Sequence, residues 1–193
     1  MVHGEFESMK IYHALVPDFA VRPIGYGTCA SSSDTHFYIS DFKFLSDDIT
    51  DTTAFCQKAA EMHNKSARLH EQTLGTPEVP DNFGFHVTTH TGMLPHDNRW
   101  QHSWEKFFTH AIISILAFEE KTQGPSEELD FLANALIQKV IPRLLRPLET
   151  GGKSIRPVLV HGDLQLRNAR MDLTTGRPVM YDAGAFWGHN ECK

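Results

Sequence analysis

One stretch restricts this chain more than any other: Val158-Leu-Val-His-Gly-Asp-Leu-Gln-Leu-Arg-Asn168, followed by Val179-Met-Tyr-Asp-Ala-Gly184. The apolar run 157–160 reads as a buried strand, and two more strands are expected at 169–172 and 178–181. Thr174-Thr-Gly-Arg177 is the turn that joins the last two and brings Asp182 back towards the loop. An aspartate, an asparagine five positions on and a second aspartate after a short hairpin is the spacing of a phosphoryl-transfer loop. In that chemistry Asp163 accepts a proton from a substrate hydroxyl. Asn168 and Asp182 hold magnesium against a nucleotide triphosphate through hard oxygen atoms. His161 is expected to hold the turn backbone, and Gly162 lets it bend. A surface hairpin with a polar turn is the plainer alternative, and the burial expected of Val158-Leu-Val160 speaks against it.

The rest of the chain supplies a setting for that loop. Gly4 to Val16 reads as a short helix closed by Pro17, and Pro23 to Gly27 and His36 to Phe42 as strands joined by a turn at 31–34. From Thr53 to about Thr73 apolar residues recur at helical spacing. A loop rich in Gly, Pro and Asn follows, then a strongly apolar helix from Trp100 to Glu120, with Trp100, Trp104, Phe107 and Ile112 expected in the core. Ser126 caps a further helix, whose buried face is expected to hold Leu129, Leu132, Leu136, Val140 and Leu144, with a kink at Pro142. The order predicts an α+β, protein-kinase-like fold. Residues 1–50 form a partial N-terminal β-lobe with its connector, and 51–193 a mainly helical C-terminal lobe carrying the catalytic β-hairpin.

A net charge of -6 argues against nucleic-acid binding, since a phosphate backbone would be repelled. No apolar run approaches the roughly 20 residues a membrane helix needs. Three widely spaced cysteines and no visible secretory signal point to a reducing, cytoplasmic setting, and a monomer is expected. The pair His86 and His90 has HxxxH spacing, but Val87-Thr88-Thr89 favours a strand. Strand geometry sets the two rings about 13 Å apart, too far to share an ion.

With these residues in view, the chain resembles the fructosamine and ketosamine 3-kinase family, relatives of the aminoglycoside phosphotransferases. His161-Gly-Asp-Leu with Asn168, then Tyr181-Asp-Ala and Phe186-Trp-Gly-His-Asn-Glu191, is similar to that family's catalytic and metal-binding segments. Phe83-Gly-Phe-His-Val-Thr-Thr with Thr91-Gly92, Asn98-Arg-Trp100 and Ser103-Trp-Glu-Lys-Phe107 resembles its central segment. Gly4-Glu-Phe-Glu-Ser-Met9 and Val21-Arg-Pro-Ile-Gly-Tyr-Gly27 are similar to its regulatory helix and following strand. The resemblance implies ATP-dependent phosphorylation of the 3-hydroxyl of a ketosamine, the sugar adduct on a protein amine, as a deglycation repair step. The sugar implied is ribulosamine more than fructosamine. It also implies Asp163 as base, Asn168 and Asp182 as magnesium ligands, and Glu5 as partner of an ATP-binding lysine. Ser40 to Phe42 becomes the connector that meets the adenine, which puts Asp41 and Phe42 at the nucleotide. The substrate implied is a glycated protein or a free ketosamine.

The pattern is incomplete at its start, in the loop itself and after Glu191, where the family continues with further helices. The expected lysine strand would precede Glu5, where only Met1-Val-His-Gly4 stands, and Lys10 on the same helix cannot replace it. Where the family has a tryptophan and a glycine before the asparagine, this chain has Gln165 and Arg167. The chain thus reads as truncated at both ends, lacking C-terminal helices and with weak or no activity expected of it alone. Two alternatives stay open: a catalytically dead pseudokinase serving as a binding module, and another small-molecule kinase of the aminoglycoside or choline type.

Overall fold

The computed structural model describes residues 1–47 and 51–192. The expected lobe boundary at 50/51 abuts residues outside the described ones. Helix α1, Val2–Leu15, ends where Val16 leaves helical geometry ahead of Pro17. It lies close against the following loop, because a Cβ on Gly4 would sit 2.4 Å from the Thr88 carbonyl oxygen. Strands β1, Pro23–Cys29, and β2, Ser32–Ser40, form an antiparallel hairpin with Tyr26 opposite Tyr38. Its turn is Ala30-Ser31, tighter than the 31–34 turn expected from composition. Tyr26 packs across α1, with its ring 5.0 Å from His3 and from Phe6.

Helix α2, Thr52–Thr73, starts where the Asp51 carboxylate accepts from the N–H groups of Thr53 and Ala54. It buries Met62, Ser66, Ala67 and His70, and Ser66 Oγ accepts from the Leu159 N–H at 3.0 Å, pinning it to the central strand. The 83–98 region is irregular apart from single bridges of Phe83 to Gln101 and of Gly84 to Trp187 and a two-residue ladder, β3 His90–Thr91 with β4 Leu94–Pro95. The strand expected across 86–90 is therefore absent from 86–89, and the chain bends at 86 and 87. His86 instead faces Glu7 of α1, 3.4 Å away.

Helix α3, Trp104–Gln123, begins four residues later than the apolar stripe suggests. Ser103 caps it with the help of Glu149, whose carboxylate accepts from the N–H groups of Trp104 and Glu105. Ser126 does cap the next helix, α4 Glu127–Ala135, as expected. A five-residue π-helical turn, Leu136–Val140, then leads into α5, Ile141–Leu145. Pro142 has no N–H to donate and its ring would collide with the preceding turn, which a wider turn relieves. The buried face expected here is corrected by the structure: Leu132, Val140 and Leu144 are exposed, and of this stretch only Ile141 is fully buried.

The centre of the molecule is β5, Val158–Val160, paired antiparallel with β8, Phe186–Gly188. Beside it, β6, Ala169–Asp172, and β7, Arg177–Met180, form the expected hairpin. Residues from the N-terminal part flank this hairpin on both edges, Phe19 to Val21 along β7 and Phe44 to Ser46 along β6. Met9, Tyr12 and Phe19 share one buried cluster with Met62, Leu159 and Trp187, so both expected lobes contribute to a common core. No helix among the described residues is long and apolar enough to cross a membrane.

Candidate active site

At the end of β5 the chain turns through Gly162 at φ +78°, a left-handed conformation. A Cβ there would lie 2.1 Å from the Gly184 carbonyl oxygen, so the loop and the 182–185 turn touch only because that position is glycine. His161, buried, joins the same two segments. Its Nδ1 accepts from the Asp163 N–H at 3.3 Å, which leaves the ring proton on Nε2 to donate to the Tyr181 carbonyl at 3.1 Å. Burial lowers its pKa to about 4, so the ring is neutral at neutral pH, as an accepting Nδ1 requires.

Asp163 is held from several sides. Oδ1 accepts from Gln165 Nε2 at 2.7 Å, and Oδ2 from Asn168 Nδ2 at 3.1 Å. The same Asn168 nitrogen donates to the Asp163 backbone carbonyl at 2.9 Å, so the amide oxygen is the part of Asn168 left for a ligand. The Arg167 guanidinium stands 3.7 Å from Asp163 Oδ2 and is largely exposed. Gln165 was not singled out from the sequence for this role, and its only signal there was a polar residue two positions from the aspartate.

Asp182 follows β7 at φ +59°, the one non-glycine residue with positive φ among those described. Burial raises its pKa, and the Asp163 charge adds to the rise while Arg167 opposes it. Glu5 shares the problem: burial, then the charge of Asp182, lifts its pKa to about 7. Tyr38 is pushed up by burial and by Glu5 and Asp182. The structure thus brings Glu5, Asp163 and Asp182 into one electrostatic neighbourhood with an excess of negative charge. Ser8, one turn on from Glu5, fixes the arrangement: buried, it accepts from the Ala185 N–H at 3.0 Å and donates to the Gly4 carbonyl at 2.7 Å.

A cleft of about 400 Å³ opens beside this group, lined by Glu5, Val21, Tyr38, Asp41, Phe42 and Tyr181. The Arg22 guanidinium forks onto the Asp41 carboxylate at 3.0 and 3.2 Å, and the Asp41 N–H donates to the Arg22 carbonyl. Phe42 stands exposed at the mouth, edge-on to Phe44 with ring centres 5.0 Å apart. Lys43 reaches instead to Asp172, 3.4 Å away. All six expected site residues therefore cluster in one region, in two groups: Asp163, Asn168 and Asp182 at the loop, and Glu5, Asp41 and Phe42 on the cleft. Among the described residues no three His, Cys, Asp or Glu side chains gather as metal ligands. A cation here would rest on mixed oxygen donors, an amide and carboxylates.

Comparison with known proteins is consistent along the chain. The family model described as fructosamine kinase matches residues 1–193. A ketosamine-3-kinase of Mus musculus is 33% identical over 164 residues, covering 78% of this chain and 49% of that protein. A chloroplastic protein-ribulosamine 3-kinase of Oryza sativa subsp. japonica is 28% identical over 195 residues, covering 100% of this chain and 51% of that protein. The chain thus spans about half the length of these curated relatives. A solved structure from Haemophilus somnus, assigned by name as a fructosamine-3-kinase, superposes with a TM-score of 0.66 at 20% identity, covering 100% of this chain and 57% of its own.

Proposed function

Because this chain belongs to the fructosamine kinase family, we propose that it carries the catalytic loop of a ketosamine 3-kinase, which transfers the γ-phosphoryl group of ATP to the 3-hydroxyl of a sugar-derived ketosamine on an amine. The observation that carries this reading is the convergence of Asp163, Asn168, Asp182 and Glu5 next to a cleft lined by Asp41 and Phe42. Asp163 orients the attacking hydroxyl and takes its proton as the oxygen–phosphorus bond forms and the bond to the ADP oxygen breaks. Its carboxylate is presented by the loop through Asn168 and Gln165, and Gln165 must yield room for the hydroxyl.

The donor set fits a divalent metal, for which magnesium is our choice. Asp182 is a solvent-accessible carboxylate in an over-negative neighbourhood, and Asn168 has its amide nitrogen engaged and its oxygen available. When bound, such an ion neutralises charge on the phosphates. Asp41, with its own N–H engaged by Arg22, serves the cleft by anchoring the connector, and Phe42 offers an aromatic face at the mouth. The substrate is a glycated protein or free ketosamine, with the ribulosamine type preferred.

A thermal-shift titration tests the reading. Magnesium and ATP together are expected to raise Tm, a ligand at one hundred times its Kd stabilising by about 2.7 kcal/mol, and Asp182→Ala is expected to abolish the rise. No stabilisation at millimolar nucleotide would sink it. Phosphorylation of ribulosyl-lysine against an aminoglycoside, followed by phosphorus NMR, then separates the ketosamine assignment from that of a related small-molecule kinase.

A further inference from the structure

Behind the catalytic loop lies a hydrogen-bonded set that the chemistry above does not use. His96 Nδ1 is 3.0 Å from Thr89 Oγ1, and its Nε2 is 2.8 Å from Thr91 Oγ1. Each hydroxyl also reaches a backbone carbonyl. Thr91 Oγ1 is 3.0 Å from the oxygen of Gly162, the residue before Asp163. Thr89 Oγ1 is 3.1 Å from the oxygen of Ala185, in the turn that begins at Asp182. Asn98 Nδ2 adds a donation to Thr89 Oγ1 with a proton of its own.

The four links around His96 each need one proton. The two hydroxyls supply two, and a neutral imidazole supplies one. Burial first, and then His90 nearby, lower the pKa of this ring to about 4 against the opposing pull of Asp163, so the neutral form prevails at pH 7. The Gly184 carbonyl also faces the ring, which adds an acceptor and no proton. One link is therefore always open, and the tautomer decides on which side. With the proton on Nε2, Thr91 accepts it and donates to Gly162 undivided, while the single Thr89 proton is contested between Nδ1 and the Ala185 carbonyl. With the proton on Nδ1, Thr89 accepts it and donates to Ala185 undivided, while the single Thr91 proton is contested between Nε2 and the Gly162 carbonyl.

We propose that His96 is a positioning residue whose tautomer ties down either the Gly162 carbonyl on the catalytic loop or the Ala185 carbonyl on the turn after Asp182, and so couples the two segments. Because the Ala185 N–H is held by Ser8 of α1, the coupling extends to the helix that bears Glu5. Its consequence for catalysis rests on the phosphotransfer reading; the tautomer exchange does not.

The test is a long-range 1H–15N correlation of the histidine rings in the full chain at pH 7, without nucleotide. The unmodified chain is expected to show a neutral His96 ring. Thr91→Val should leave it Nδ1-protonated and Thr89→Val Nε2-protonated, and Thr91→Ser should restore the unmodified pattern. Coupling predicts that each valine substitution moves the backbone amide signal on the far side, Phe186 for Thr91→Val and Asp163 for Thr89→Val. A doubly protonated ring at pH 7 in the unmodified chain overturns the proposal without any variant, since all four links then close at once. It is equally overturned if both valine variants share one tautomer, if Thr91→Ser behaves as Thr91→Val, or if each variant perturbs only its own side. None of these readouts involves nucleotide, so their failure is distinct from failure of the thermal-shift test of function.

Discussion

At the residue scale the site is organised around charge that lacks an answer. Glu5 in the folded chain keeps its proton up to about pH 7, against an ordinary value of 4.5. The folded state therefore binds the extra proton between those values, and stability contributed at low pH is lost as pH rises from about 4.5 through 7. Glu5→Gln removes that dependence. It is expected to raise stability at pH 8 by on the order of 1–2 kcal/mol, once partial solvent screening is allowed for, and to change little at pH 4.5. Urea unfolding of both proteins across this range decides it, and parallel pH curves would contradict the assignment. Asp163, Asn168 and Asp182 were singled out by residue type and spacing and Glu5 only through the family resemblance, and the fold sets all four in one region. The contributions of Gln165, Ser8 and His96 were not legible in the sequence. An amide, a hydroxyl or an imidazole becomes a positioning group only through what the fold sets opposite it, here Asp163, the Ala185 N–H and two threonines.

Elements were read well where local signals decide them and poorly where they do not. Ser126 marks a helix start because a hydroxyl can take up free N–H groups there, and the β6–β7 turn follows from its Thr-Thr-Gly composition. Pro142 marks a break in its helix but not that the break takes the form of a π-helical turn, and the bends at 86 and 87 have no comparable mark. Docking of elements is likewise invisible to periodicity, and α1 shows the point. Ser8→Ala keeps a good helix former in place yet strips the Ala185 N–H of its buried acceptor, a loss of about 1–3 kcal/mol. Hydrogen exchange should show Ala185 losing protection while the amides of α1 keep theirs. Uniform loss along α1 would mean that the residue serves the helix rather than its attachment to the turn.

For the whole molecule, a helical stripe says which residues share a face, not whether anything covers that face. The stripe at 129–144 has the periodicity of a core helix, yet Phe131 beside it is 74% exposed and Leu144 62% exposed. The buried cluster instead runs from Met9 and Tyr12 of α1 through Leu159 of β5 to Trp187 of β8, directly under the 161–168 loop. Stability and site geometry therefore depend on the same residues, while the α4–α5 face is separable from both. Leu159→Ala opens a cavity in that cluster and is expected to cost about 2–5 kcal/mol. Phe131→Ser should stay within about 0.5 kcal/mol of the unmodified chain, because a solvated side chain has little burial to lose. Denaturant midpoints of the two variants, measured at several protein concentrations, check this directly. A Phe131→Ser cost approaching that of Leu159→Ala, and growing with concentration, would show the α4–α5 face to be covered by a second copy in solution.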